Sequence, residues 1–331
     1  MKILFIHQNF PGQFKFLGPA LAARGHDVHA MTMRTESPEN FNGVKLHPYK
    51  NSRGSTPNIH PWAQDFETKI IRAEACYDAC RKLSESGFNP DVIIAHHGWG
   101  ESLLLKHVWP NAKLGIYCEF YYKAEGGDVG FDPEFPVDLN AIRNNLLFKN
   151  LNNEMHFKFA DAGLSPTHWQ ASTFPELFRS KISVVHDGID TADLTPDDGV
   201  KLSFESGRIF TKNDKIITFV NRHIEPYRGC HTFLRALPEI LSAHRDANVF
   251  IIGSEGVSYG AKPQGSKSWK QIFWDDEVVP KLDDQARARV HFLGRVDYSS
   301  FKKILALSSA HVYLTYPFVL SWSLLEAMSI G

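Results

Sequence analysis

The sequence predicts an α/β protein built from two Rossmann-like, doubly wound parallel-sheet domains, and three observations carry that expectation. Short runs that are apolar on both faces recur along the chain: "KILFI", "DVIIA", "KLGIY" and "KISVV" in the first half, then "KIITFV", "NVFII", "RVHFL" and "HVYLTY" in the second. Runs of this kind suit strands covered by helices on both sides. Amphipathic stretches separate them, and a βαβα order closes into a parallel sheet. The order occurs twice, with a polar break from Thr191 to Asp214 that holds Pro196, Asp197, Asp198, Gly199 and Gly207.

The elements follow from local signals. "QFKFLGPALAARGH" carries Phe14, Leu17 and Leu21 on one face and stops at Gly25, a natural C-cap. Residues 62–86 and 136–159 read as longer helices. The break sets the boundaries: a first domain at 1–190, a linker at 191–214 and a second domain at 215–331. "SLLEAMSIG" is a helix closing on Gly331 where the alternation requires another strand. The expectation is therefore an incomplete second domain of about four strands with an open sheet edge. Ligands of such sheets bind at the carboxyl ends of the strands, so a cleft between facing domains is expected.

Composition narrows the class. A chain of 331 residues exceeds what one core usually supports. Its net charge of −1 excludes a general nucleic-acid binder, which needs a clustered basic excess. The 4 cysteines, Cys76, Cys80, Cys118 and Cys230, are too few for a disulfide scaffold and suit a reducing compartment. Cys76 and Cys80 can meet on one helix face, where they read as small apolar filler. The apolar run from Met1 to Ile6 is too short for a signal segment, and no later run approaches the ~20 residues of a spanning helix. The reading is a cytoplasmic protein, with peripheral contact at the inner face of a membrane left open.

The stretch "FVNRHIEPYRGCHTFLRALPEIL" holds two arginines between a buried strand and a helix start. Arg222 leaves the strand end, Arg228 sits at the helix entrance beside Gly229, and Glu225-Pro226 stiffens the turn. Strand, turn and helix direct backbone N–H groups at an anion. Guanidinium groups grip phosphate bidentately and stay charged. Two of them converging on one pocket suit a diphosphate; the alternative is a pair of solvated surface charges. "NVFIIGSEG" puts Gly253 and Gly256 after a strand, "VHFLGRV" repeats the pattern at Gly294, and "TYPFVLSWSLLEAMSIG" brings Ser321 to a further helix N-terminus. Single glycines are weak signals, but four such turns at the carboxyl edge of one sheet make a site.

"VNRHIEPYRG", "VFIIGSEG", "VHFLGRV" and "LLEAM.IG", with "VVHDGID" at the domain junction, resemble the retaining GT-B glycosyltransferases of family four, over nearly the whole chain. The resemblance implies that the first domain holds an acceptor and the second a nucleoside-diphosphate sugar. It implies that Arg222 and Arg228 bind the donor diphosphate, Arg228 replacing a lysine, and that Glu326 holds the nucleotide ribose. The family's first glutamate, eight positions earlier, falls at Phe318, so the acidic contact to the donor sugar is absent or replaced. Ser323-x-x-Glu326 also reads as a capping box, which explains a glutamate without any ligand.

The same resemblance makes Gly12, in "HQNFPGQF", the glycine that lies against donor phosphate and acceptor; a plain turn is the alternative. Glu119 in "IYCEFYYKAEGGDVGFDPEFP" matches a family histidine near the reacting centre, where a carboxylate can orient an acceptor hydroxyl. A surface glutamate is the other reading. Phe120, Tyr121, Tyr122, Phe131 and Phe135 offer faces to sugar rings or fill core space, and Gly126-Gly127 suggests a mobile loop. His96 and His97 end a strand on opposite faces, so polar lining is favoured over a shared ion. The expected activity is retaining transfer of a sugar from a nucleoside-diphosphate sugar to a saccharide or lipid-linked acceptor in surface polysaccharide synthesis. No cofactor and no metal are called for, the nucleotide sugar being substrate and the arginines meeting its charge. A sugar-nucleotide epimerase of similar fold and a non-catalytic nucleotide-sugar-binding fragment are the rival readings.

Overall fold

The computed structural model describes residues 1–204 and 207–331. They divide into two compact units: Met1–Gly188 with Pro317–Leu320, and Ile189–Tyr316 with Ser321–Gly331. Among the described residues no helix is long and apolar enough to cross a membrane.

Unit 1 runs β1 (Lys2–Ile6), α1 (Leu17–Ala23), β2 (Asp27–Thr32), β3 (Asn40–Phe41), β4 (Val44–Pro48), α2 (Pro61–Glu85), β5 (Val92–Ala95), α3 (Leu105–Val108), β6 (Lys113–Tyr117), α4 (Leu139–Phe159), β7 (Ala162–Ser165), α5 (His168–Thr173), α6 (Glu176–Arg179) and β8 (Ile182–Val184). Its sheet has the order β3-β4-β2-β1-β5-β6-β7-β8. The pairs are parallel apart from the antiparallel β3–β4 edge. Leu4, Phe5 and Ile6 of β1 have no solvent exposure; each such side chain contributes about 1.5–3 kcal/mol of burial free energy, which fixes β1 at the centre. The strand order reverses between β1 and β5, the place where such sheets open a crevice for ligands.

Local chemistry sets the long helices. Pro61 opens α2 after His60, whose ring nitrogen caps the Trp62 N–H. Asp138 caps α4 through the Asn140 and Ala141 N–H groups. Cys76 and Cys80 are fully buried with their sulfurs 3.9 Å apart, in a core shared with Leu4, Ile93 and Phe157. The helix expected across residues 13–25 is shorter: a 3-10 turn at Gly12–Phe14 precedes α1. Phe14 is buried, but Leu17 is 40% exposed, because the break before α1 rotates it off the core face.

Unit 2 runs β9 (Lys201–Ser203), β10 (Ile209–Thr211), β11 (Ile216–His223), α7 (Cys230–Ala243), β12 (Asn248–Ser254), α8 (Asp284–Arg287), β13 (Val290–Gly294), α9 (Tyr298–Leu307), β14 (Ala310–Val312) and α10 (Trp322–Ile330). A parallel sheet has the order β13-β12-β11-β14, so its reversal lies between β11 and β14. β9 and β10 pair antiparallel. They occupy the segment 191–214 read from the sequence as a linker, of which residues 205 and 206 lie outside the described residues. Leu194, Val200 and Phe210 of that segment are buried in the unit 2 core with Ile216, Phe250 and Leu307. A polar composition hid these apolar anchors, and the segment is part of unit 2.

Candidate functional site

The carboxyl ends of β11, β12 and β13 in unit 2 enclose a cavity of about 400 Å³. Arg222 and His223 of β11, Gly253 and Ser254 of β12, Gly294 of β13, Tyr298 of α9 and Glu326 of α10 line it. The structure thus brings Arg222, Gly253, Gly294 and Glu326 together. Arg222 belongs to the last residues of β11 rather than to the loop after it. It is exposed and, among the described residues, makes no hydrogen bond or ion pair. A guanidinium held this way keeps its five donors for a ligand.

Arg228 differs. It is only 7% exposed, is not part of that lining, and donates to the Tyr313 hydroxyl at 3.1 Å and to Thr315 Oγ1 at 2.9 Å. Its guanidinium also lies 5.5 Å from the centre of the Tyr259 ring. The cause is packing at Gly229, where φ is +71° and a Cβ would meet Leu314 Cβ at 2.5 Å. Only glycine lets the turn approach the chain after β14 this closely. Expected convergence of both arginines on one pocket is therefore replaced by a division: Arg222 lines the cavity, while Arg228 is fixed by hydroxyls at the β11–β14 reversal. Ser321 is tied to the same group, since its N–H donates to the Tyr313 hydroxyl at 3.2 Å.

Glu326 accepts a 2.8 Å hydrogen bond from the Tyr298 hydroxyl at the cavity wall. The capping-box alternative is ruled out by the helix start: α10 begins at Trp322 with Ser321 as N-cap, so Ser323 lies inside the helix. The Ser321 side chain makes no capping hydrogen bond there. Glu225, which the sequence suggested as a turn stiffener, is 1% exposed and clamps the loop after β12. Its carboxylate accepts from Ser258 Oγ at 2.7 Å and from the N–H groups of Ser258, Tyr259 and Gly260.

The reversal in unit 1 gathers a different set. Gly12 follows β1 at φ +45°, and a Cβ there would fall 2.1 Å from His7 Nε2. The glycine is required by the imidazole packed against it. His7 Nε2 pairs with Gln13 Oε1 at 2.8 Å, and Gln13 Nε2 donates to Glu119 Oε1 at 3.1 Å. Burial, aided by the charge of His96, lowers the His7 pKa to about 4, so its ring is neutral at ordinary pH. Glu119, at the end of β6, also lies 3.4 Å from His96 Nε2 and keeps a third of its side chain exposed. Burial would raise its pKa, but the proximity and charge of His96 and the Gln13 amide hold it below the usual carboxylate range. It is an ionised acceptor in a polar network, not a loose surface glutamate.

His96 and His97 turn to different partners. His96 stacks on Trp99 at 4.1 Å. His97 Nδ1 faces the Tyr117 carbonyl at 3.1 Å, with the Asn153 amide at 2.7 Å from Nε2. Phe120 is 8% exposed and packs edge-on to Phe318 at 5.1 Å, so the position where the family carries its first acid holds an aromatic contact within unit 1. Tyr298, His7 and Gln13 escaped the sequence reading, as did the clamping role of Glu225. The Gln13–Glu119, Tyr298–Glu326 and Glu225–Ser258 bonds join residues far apart in the chain, and no local pattern marks them.

Two Rossmann-like units of this kind define the GT-B class of α/β fold. The chain belongs to the glycosyl transferase family 4 group, whose family model matches residues 24–194. Three solved structures share the fold. The catalytic domain of starch synthase IV from Arabidopsis thaliana, bound to ADP and acarbose, is 16% identical over 100% of this chain and 81% of that one, with a TM-score of 0.60. The E. coli trehalose-6-phosphate protein bound with UDP-2-fluoro glucose is 12% identical over 100% and 82%, at 0.66. WaaG, a glycosyltransferase involved in lipopolysaccharide biosynthesis, is 14% identical over 100% and 79%, at 0.56. A comparison with curated protein sequences finds no match.

Proposed function

We propose that this glycosyltransferase moves a sugar, with retention of configuration, from a nucleoside-diphosphate sugar bound in unit 2 to a saccharide or lipid-linked acceptor bound in unit 1. The observation that carries the reading is the unit 2 cavity, where an unengaged Arg222, Gly253, Gly294 and the Tyr298-oriented Glu326 share one wall. Glu326 can accept from ribose hydroxyls, and its bond from Tyr298 fixes which oxygen it presents. Gly253 and Gly294 leave room for a nucleotide to lie against the strand ends. As the bond between sugar and phosphate breaks, negative charge grows on the departing diphosphate. Arg222 supplies a mobile positive charge to it, Arg228 a fixed one, and the start of α10 a favourable dipole. Supplied by side chains, this charge makes a divalent cation dispensable, and chelator is expected to leave the rate unchanged. Neighbours bound to ADP and to UDP-2-fluoro glucose are in keeping with the donor class, and WaaG with a role in surface polysaccharide synthesis.

The test is acceptor-dependent release of nucleoside diphosphate from a panel of sugar nucleotides, with the product anomer read by NMR. Release that needs acceptor, with the donor's anomeric configuration kept, is the expected result. Epimerised sugar nucleotide formed without acceptor would replace the reading with isomerisation, and no turnover of any donor would leave a binding protein.

A further inference from the structure

The second cavity, wholly within unit 1, has about 40 Å³ of room. That is a few times the minimum for one water, and matches a single carboxylate or phosphate head. Lys69, His96, Gly98, Glu119, Lys149 and Asn152 are among its walls. Their hydrogen bonding is incomplete in a patterned way. Lys69 is buried, and its charge is met by Asp65 Oδ2 at 2.6 Å. Lys149 sits with its ammonium 3.7 Å from the centre of the Tyr122 ring, and among the described residues no carboxylate is within ion-pair distance of it. Burial lowers its pKa, against the raising pull of Asp65 and with the help of Lys69. His96, 3% exposed, has no hydrogen-bond partner at Nδ1 among the described residues, and its Nε2 lies 3.4 Å from Glu119 Oε2. Asn152, 2% exposed, gives its amide N–H to the His97 carbonyl at 2.8 Å but has no donor for its own Oδ1 among the described residues. A Cβ on Gly98 would stand 3.1 Å from His96 Cε1 and 3.3 Å from Nδ1, so the glycine keeps that ring edge uncovered.

Unsatisfied groups this deeply buried are costly unless something completes them. The missing complement is an oxyanion for Lys149, with hydroxyls beside it that donate to His96 Nδ1 and Asn152 Oδ1. Resting on the transferase reading above, we infer that this cavity takes an anionic group of the acceptor, so that the enzyme selects a carboxylated or phosphorylated saccharide over a neutral one. Lys149 is the specificity-determining residue, and Gly98 and His96 shape the seat.

The test titrates the full chain with glucose 6-phosphate, glucuronate and methyl glucoside, for wild type, Lys149→Met and Gly98→Ala, with UDP and GDP binding measured on the same samples. At least one of the two anionic sugars is expected to bind tenfold or more tightly than methyl glucoside, and which one does so distinguishes phosphate from carboxylate. Lys149→Met should abolish that preference, and Gly98→Ala should weaken anionic-sugar binding about fivefold. Equal binding of charged and neutral sugar, a preference that survives Lys149→Met, or no sugar binding at all overturns the inference. Nucleotide binding that persists in those cases leaves the transferase reading standing. Loss of nucleotide binding in the wild-type chain removes that reading, and the inference with it.

Discussion

The strand reversal of unit 1 and the carboxyl strand ends of unit 2 serve the same kind of fold with opposite economies. In unit 2 the lining of a 400 Å³ cavity includes an exposed arginine without a protein partner among the described residues. In unit 1 the reversal is packed with aromatic and imidazole rings, His7 4.9 Å from Trp99 and His96 4.1 Å from it, leaving about 40 Å³. The first is shaped to receive something large and charged. The second is tightly packed, with Gln13 bridging His7 and Glu119. Substitutions in the unit 1 network should therefore cost folding stability, and substitutions in the unit 2 cavity should cost binding alone.

The sharpest break would come from Gly12→Ala. The new side chain meets the His7 ring in a backbone conformation that L-residues avoid, and strain plus overpacking amount to roughly 3–5 kcal/mol. The expected outcome is a large fall in melting temperature with nucleotide affinity intact in whatever fraction folds. A melt indistinguishable from wild type would mean that the unit 1 network is loose.

Glu101 gives the next largest effect. It is fully buried, and neither carboxylate oxygen has a hydrogen-bond partner among the described residues. Burial raises its pKa to about 7, against opposing pulls from its own backbone and Arg72. The folded state therefore binds a proton that the unfolded state has released. Stability drains as pH rises from 4.5 through 7, by about 3 kcal/mol once both states are ionised. Glu101→Gln should melt higher than wild type at pH 8 and equally at pH 4; a difference independent of pH would show that the carboxylate has a partner.

The smallest effect tests the other side of the comparison. Tyr298→Phe removes one hydrogen bond to Glu326 at an exposed tyrosine. Nucleotide affinity should fall about fivefold, close to 1 kcal/mol, while the melt of the free chain stays where it was.

What was legible in the sequence follows the same division. Strands β1, β5, β6, β8 and β11 to β14 fall on short, mostly apolar runs and could be seen directly. β2 could not, because His29 and Thr32 interrupt "DVHAMT" although both are buried. β4 alternates polar and apolar residues near the sheet edge, and β7 is the short, small-residue "AGLS". In the unit 2 cavity Arg222, Gly253 and Gly294 each end an apolar strand, so their shared wall was readable one strand at a time. Arg228 was not readable: its burial depends on Gly229 meeting Leu314, far along the chain. The Gln13–Glu119 bond, and the meeting of Lys149 with His96 around one cavity, are likewise products of tertiary packing with no local trace.

The most direct test of the central claim is the melting temperature of the chain with UDP, GDP, ADP or CMP, beside Arg222→Ala. A nucleotide at ~100 times its dissociation constant adds about 2.7 kcal/mol. The account predicts a rise with at least one nucleoside diphosphate, absent in Arg222→Ala, whose own melt without ligand matches wild type. A rise of equal size in the variant, or none with any nucleotide in a chain that melts cooperatively, would contradict it.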